Sequence, residues 1–158
     1  MLNYDLVTSK ARYRLPTRDD MPIFLRLVGR ASSERAEDTD ASAYRIRRTV
    51  RELSRRPDRG SIFLFEKEEV ILGYCILATG WSNGYGGEIL RVDELYMSSD
   101  HRDEGIVEDF LGLLCKVAPP GTCAILIEAP PGDRKAAALY SRAGFDARGE
   151  RIMFKRIE

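Results

Sequence analysis

The segment "SIFLFEKEEVILGYCILATGWSNGYGGEILRVDELYM", residues 61–97, constrains the fold of this chain more than any other. Two runs rich in β-branched and aromatic residues are joined by the polar "EKEE", and a third follows "SNGYGG", whose Asn-Gly and Gly-Gly pairs are turn signals. Three consecutive strands with short connections predict an antiparallel meander, because a parallel pair needs a crossover of about a dozen residues or more.

Helices flank the meander. "YRLPTRDDMPIFLRLVGRA" reads as a short strand, a turn, and a helix starting near Asp20, with Pro22 in the first turn, where its missing N–H costs nothing. The polar "SSERAEDTDAS" reads as a loop or frayed region, one that borders a substrate if there is one. In "SAYRIRRTVRELSRRP", Ile46, Val50 and Leu53 recur at helical spacing among arginines. That basic amphipathic helix is either a phosphate or nucleic-acid surface or, the reading favoured, a solvated face. After the meander, Ile106, Phe110, Leu113, Leu114 and Val117 mark a helix ended by "APPG". "TCAILIEA" is a buried strand, "RKAAALYSRAG" a helix closed by Gly144, and "RIMFKRI" a last strand. The predicted class is α+β: a mixed, mostly antiparallel sheet flanked by helices, with a crossover late.

The chain has 158 residues, 44% of them hydrophobic, which suits one domain over residues 1–158, with 1–12 as a polar leader or extra N-terminal segment. Lys plus Arg number 25 and Asp plus Glu number 25, so no net charge argues for nucleic acid or an anionic membrane as partner. No apolar run is long enough to cross a bilayer, and the N-terminus lacks the apolar stretch of a signal peptide. Cys75, Cys115 and Cys123 are odd in number and sit in apolar stretches, which fits a reduced, cytoplasmic protein. His101 is the sole histidine, so no multi-histidine metal site is expected.

The chemistry is expected where "VDELYMSSDHRDEGIV" passes from strand to turn to helix. Unpaired backbone N–H groups and the positive end of the helix dipole collect there, and Gly105 lets the backbone approach an anion. Arg102 adds a charge-assisted contact, whereas an ordinary turn is the bland alternative. The stretch resembles the acetyl-CoA-binding motif of the GNAT superfamily of acyl-CoA-dependent N-acetyltransferases, in which Arg or Gln, two residues, Gly, one residue, and Gly or Ala form a pyrophosphate turn. Arg102, Gly105 and Ile106 match, and Val107 replaces the final small residue. "DRKAAALYSRAGF" resembles the family's late helix through Ala136, Leu139, Tyr140, Gly144 and Phe145, with Asp133 where Asn is usual.

The resemblance implies a bent strand around residues 94–97 that splays from the strand at residues 123–129, with the pantetheine arm in the gap and along the backbone of Met97. It implies that residues 102–107, Asp103 and Glu104 included, hold the diphosphate of acetyl-CoA, with Asp133 near the arm. It further implies direct attack by a primary amine, more in the manner of the small-molecule branch, in a ternary complex, and a possible homodimer. Deprotonating that amine calls for a carboxylate. Glu94 and Asp93 lie on the right strand, on opposite faces if side chains alternate, and Glu94 is favoured over its reading as a salt-bridged strand residue. Tyr140 matches the family's acid for the leaving thiolate, or else only packs its helix. Trp81 and Tyr85 flank the turn where the family shapes its acceptor site, or are exposed turn aromatics.

Asp103 and Glu104 depart from the family pattern. A carboxylate about 6 Å from a phosphate charge costs roughly 0.7 kcal/mol with waterlike screening and about 3 kcal/mol at an effective dielectric near 20. The competing expectation is therefore a noncatalytic module of the same fold with weakened CoA binding.

Overall fold

The computed structural model describes residues 5–147. The predicted last strand, "RIMFKRI", lies outside them. The elements run β1 (Asp5–Val7), β2 (Arg12–Arg14), α1 (Met21–Glu34), α2 (Thr39–Arg55), β3 (Gly60–Lys67), β4 (Val70–Ser82), β5 (Gly87–Met97), α3 (Ile106–Val117), β6 (Thr122–Ile127) and α4 (Arg134–Arg142). The strands form one sheet in chain order, β1 to β6, antiparallel throughout except for the parallel pair β5–β6. The α+β class, the meander and the late crossover through α3 stand as predicted.

Two helical layers cover the sheet, and alternation along the strands assigns each side chain to one of them. Ile62 and Leu64 of β3 face α1 and α2 with Phe24, Leu27, Val28 and Ile46. Phe63 and Phe65 face the opposite way, with Tyr13 and with Ile106, Phe110 and Leu114 of α3. The ring of Phe110 lies 4.8 Å from that of Phe65 and 5.2 Å from that of Tyr13, so one aromatic cluster fastens α3 to β2 and β3.

Three details depart from the sequence reading, the first being that β6, expected as a buried strand, is only partly covered, with Cys123 exposed. Asp5–Val7, read as part of a polar leader, is the edge strand of the sheet, and its one inward side chain, Leu6, is buried. A strand of three residues carries too little alternation to be seen in a sequence. The expected loop "SSERAEDTDAS" is mostly helical, because α1 runs on to Glu34 and α2 starts at Thr39. Asp38 ends the connection by accepting the N–H groups of Asp40 and Ala41 at 2.9 and 3.0 Å. The short link holds Glu34 and Arg35 in fixed positions at the end of α1.

The start of α1 is held by an ion-paired corner. Arg14 reaches the carboxylates of Asp20 at 2.8 Å and Glu66 at 2.6 Å, and Thr17 donates its N–H and its hydroxyl to Asp20. Arg14 foremost, with Thr17, holds the Asp20 carboxyl well below the usual carboxylate range. A depressed carboxyl stabilises the fold above its unfolded-state value and loses that contribution as pH falls towards its folded-state value. Stability against urea is therefore expected to fall between about pH 4 and pH 2.5, with a smaller loss in Asp20→Asn. A second test concerns Gly73, where an added Cβ would lie 2.4 Å from the Tyr96 carbonyl oxygen. That oxygen belongs to the backbone and cannot swing aside, so Gly73→Ala should cost about 1–3 kcal/mol of unfolding free energy.

Candidate functional site

A bulge in β5 builds the site. Pairing with β4 steps from Leu77↔Val92 to Ile76↔Glu94, leaving Asp93 as the extra residue. One inserted residue moves every later side chain to the opposite face. Leu90 and Val92 face the α3 side, yet Tyr96 faces α1 and α2, while Leu95 and Met97 return to the α3 side. Strict alternation from Val92, assumed in the sequence reading of Asp93 and Glu94, therefore does not hold: Asp93 is the exposed bulge residue, and Glu94 turns towards α1. The bulge also lies where β5 leaves β6, since their register ends at Val92↔Ile127. Among the described residues, nothing pairs with residues 93–97 on the side away from β4, which leaves that backbone edge open where this strand pair is expected to splay.

On the α1 side, the Glu94 carboxylate accepts from Arg35 at 2.9 Å and from the Tyr74 hydroxyl at 2.5 Å. Both bonds fall on Oε1, and Oε2 has no partner among the described residues. Burial first, then the Glu94 charge, pushes the Tyr74 phenol well above its ordinary range, so it stays a proton donor.

Arg102 goes to a place the sequence does not disclose. Its Nε donates to the Met97 carbonyl at 2.9 Å, its other arm pairs with the Glu34 carboxylate, and its guanidinium carbon lies 5.8 Å from the centre of the Tyr96 ring. Tyr96 donates to the same Glu34 at 3.0 Å. The guanidinium thus ties the end of β5 to the end of α1. Glu34 stands 68 positions away in sequence, and no local motif links the two residues.

The turn itself is a 3₁₀ segment, Ser99–Glu104, followed by Gly105 in the left-handed region at φ 73°. Gly105 sits at the N-cap of α3 and no side chain caps that end, so the first-turn N–H groups lack both intrahelical and side-chain partners. Ile106 and Val107 are buried in the core, so the branched Val107 side chain points inwards and does not crowd the turn. Glu104 is drawn off by Lys67 at 2.7 Å and His101 at 2.8 Å, and Lys67 foremost, with His101, holds its carboxyl below the usual range. Asp103 is exposed and forms no ion pair among the described residues. Of the two acids, one is neutralised within the fold and the other looks into solvent.

On α4, Asp133 is the N-cap, accepting the Ala136 N–H at 2.9 Å. Tyr140 packs half-buried against the α3-side core, and its hydroxyl has no hydrogen-bond partner among the described residues. Burial foremost, then the charge of Asp133, raises its phenol above the ordinary value. Trp81, exposed, pairs with Glu88 five positions beyond the Ile76↔Glu94 pair. At strand rise that is about 17 Å away, so Trp81 and the neighbouring Tyr85 are not brought to Glu94. An apolar recess of about 220 Å³ lies between the β2–α1 connection, α2 and the start of β3, and no carboxylate or phenol lines it. Among the described residues no cluster of three or more His, Cys, Asp or Glu is placed to hold a metal, and no helix is long and apolar enough to cross a membrane.

Comparison with solved structures places this architecture. An integron cassette protein from the mobile metagenome of Cole Harbour Salt Marsh superposes with a TM-score of 0.73 at 26% identity, over 92% of this chain and 90% of its own. Glucosamine-6-phosphate N-acetyltransferase from Arabidopsis thaliana matches with a TM-score of 0.70 at 15% identity, over 94% and 99%. AAC(6')-Iy, in complex with the bisubstrate analogue CoA-S-monomethyl-acetylneamine, matches with a TM-score of 0.72 at 14% identity, over 95% and 99%. No curated protein sequence matches significantly. The model of the acetyltransferase (GNAT) family matches residues 25–145, a span running from α1 through α4, and the chain belongs to that family.

Proposed function

We propose that the protein transfers an acetyl group from acetyl-CoA to a primary amine of a small molecule, by direct attack in a ternary complex. The observation that carries this reading is that the pairing of β5 with β6 stops at Val92↔Ile127 while the strand runs on towards the uncapped N-terminus of α3; Tyr140, whose hydroxyl has no hydrogen-bond partner among the described residues, packs on the same side of the sheet as Met97. Acetyl-CoA needs a backbone edge for its amide-bearing arm and N–H donors for its diphosphate, and the chain offers both. The names of two structural neighbours, with an acetylneamine analogue and with glucosamine 6-phosphate, favour a small-molecule acceptor.

In this reading the backbone of residues 93–97, Met97 above all, orients the acyl arm, and the N–H groups at Gly105, Ile106 and Val107 hold the diphosphate. Arg102 acts at one remove, keeping the Met97 peptide in place. Glu94 takes the amine proton on its free Oε2, directly or through a water, while Arg35 and Tyr74 steady Oε1. Tyr140 gives its proton to the departing sulfur. A phenol raised above 10 is a weak acid for that task, so the gain comes from placing the O–H beside the developing thiolate.

The reading is tested by incubating the protein with acetyl-CoA and a panel of amino sugars, aminoglycosides and simple primary amines, and following release of the CoA thiol. Amine-dependent release is expected for at least one class, and its absence across the panel overturns the proposal. With the best acceptor, Tyr140→Phe should lower kcat by about a hundredfold and leave the acetyl-CoA dissociation constant unchanged. Glu94→Gln should lower kcat/KM most near neutral pH, with the deficit shrinking as rising pH deprotonates the free amine.

A further inference from the structure

Arg102 is committed to Met97 and Glu34, and Lys67 to Glu104, so the acyl-CoA site, if the reading above holds, needs its cation from elsewhere. The β1–β2 hairpin brings one. Its turn is closed by Thr8 N–H donating to the Ala11 carbonyl at 3.0 Å and is shaped by Thr8 Oγ1, which accepts the Lys10 N–H at 3.0 Å. The hairpin is fastened to the first turn of α3: Thr8 and Tyr13 donate to the Asp109 carboxylate at 2.6 and 2.5 Å, and the Tyr13 hydroxyl oxygen also lies 3.0 Å from the Ile106 carbonyl. Lys10 stands exposed at the tip. Its Nζ donates to the Glu104 carbonyl at 3.1 Å and lies 3.5 Å from the place a Cβ on Gly105 would occupy. It makes no ion pair among the described residues, and an ammonium that spends one N–H on a carbonyl keeps two more.

We propose that Lys10 is a diphosphate-binding residue of the acyl-CoA site, a cation delivered by the N-terminal hairpin to a turn whose own sequence carries acids. The inference rests on the acyl-CoA reading of that turn. It gives the short edge strand a functional reason, since β1 and β2 fix the hairpin tip against α3. The role assigned is selection of ligands that carry the diphosphate.

The test is calorimetric titration of wild type, Lys10→Met and Lys10→Arg with CoA, 3′-dephospho-CoA and pantetheine, with thermal unfolding as a check on folding. Lys10→Met keeps most of the stem and should weaken CoA and 3′-dephospho-CoA alike by about three- to tenfold, leave pantetheine unchanged, and be largely rescued by Lys10→Arg. Equal CoA binding by wild type and Lys10→Met overturns the role of Lys10 and leaves the acyl-CoA reading standing. A loss confined to CoA assigns the residue to the 3′-phosphate, and an equal loss with pantetheine assigns it to the fold; either result overturns the proposal. A wild type that binds none of the three removes the acyl-CoA reading and this inference with it.

Discussion

One inserted residue in β5 governs the rest of the site. Without the bulge, with Asp93 paired as a regular strand residue, Glu94 would stay in step with Val92 and point into the α3-side core, and Tyr96 would be lost from the packing beneath α1. With it, Glu94 turns to meet Arg35 and Tyr74, Tyr96 turns to meet Glu34, and the strand leaves β6 just where an extended ligand needs a backbone edge. The bulge therefore sets both the electrostatics of one face and the opening of the other. Two arginines then fix its consequences: Arg35 joins the α1 end to Glu94, and Arg102 joins Glu34 to the Met97 carbonyl.

The acids of the pyrophosphate turn are a smaller obstacle than their sequence suggests. Glu104 is paired with the ammonium of Lys67 from the β3–β4 hairpin and hydrogen-bonded by His101 of its own turn, so its field at the helix end is largely cancelled by Lys67. Asp103 keeps its charge, but in solvent, where screening leaves the lower end of the Coulomb cost. Val107, which stands where the family motif has a small residue, does not crowd the turn, because Ile106 and Val107 are both buried in the core while the first-turn N–H groups of α3 keep no side-chain cap.

What the sequence discloses follows from the range of the interactions that decide each feature. The β3–β5 meander, the crossover and the helices of the second half are legible because period and turn residues are local signals. The α1–α2 connection is misread because polar residues in "SSERAEDTDAS" continue one helix and cap the next, and only backbone geometry separates those roles from a loop. The bulge is invisible because "RVDELYM" scans as an unbroken strand. The ties of Arg102 to Glu34 and of Lys67 to Glu104 are equally hidden, since each joins residues tens of positions apart with no motif between them. The family motifs name Arg102, Gly105 and Tyr140, but the part the Arg102 side chain plays depends on its distant partner Glu34.

The central claim is that the β5–β6 gap and the first turn of α3 form one acyl-CoA site. Amide hydrogen exchange, read residue by residue by NMR with and without saturating acetyl-CoA, tests it most directly. The account predicts slowed exchange at residues 95–97 and 105–108 together, with little change along α2. Unchanged exchange at both segments, or slowing confined to some other face of the sheet, would contradict it.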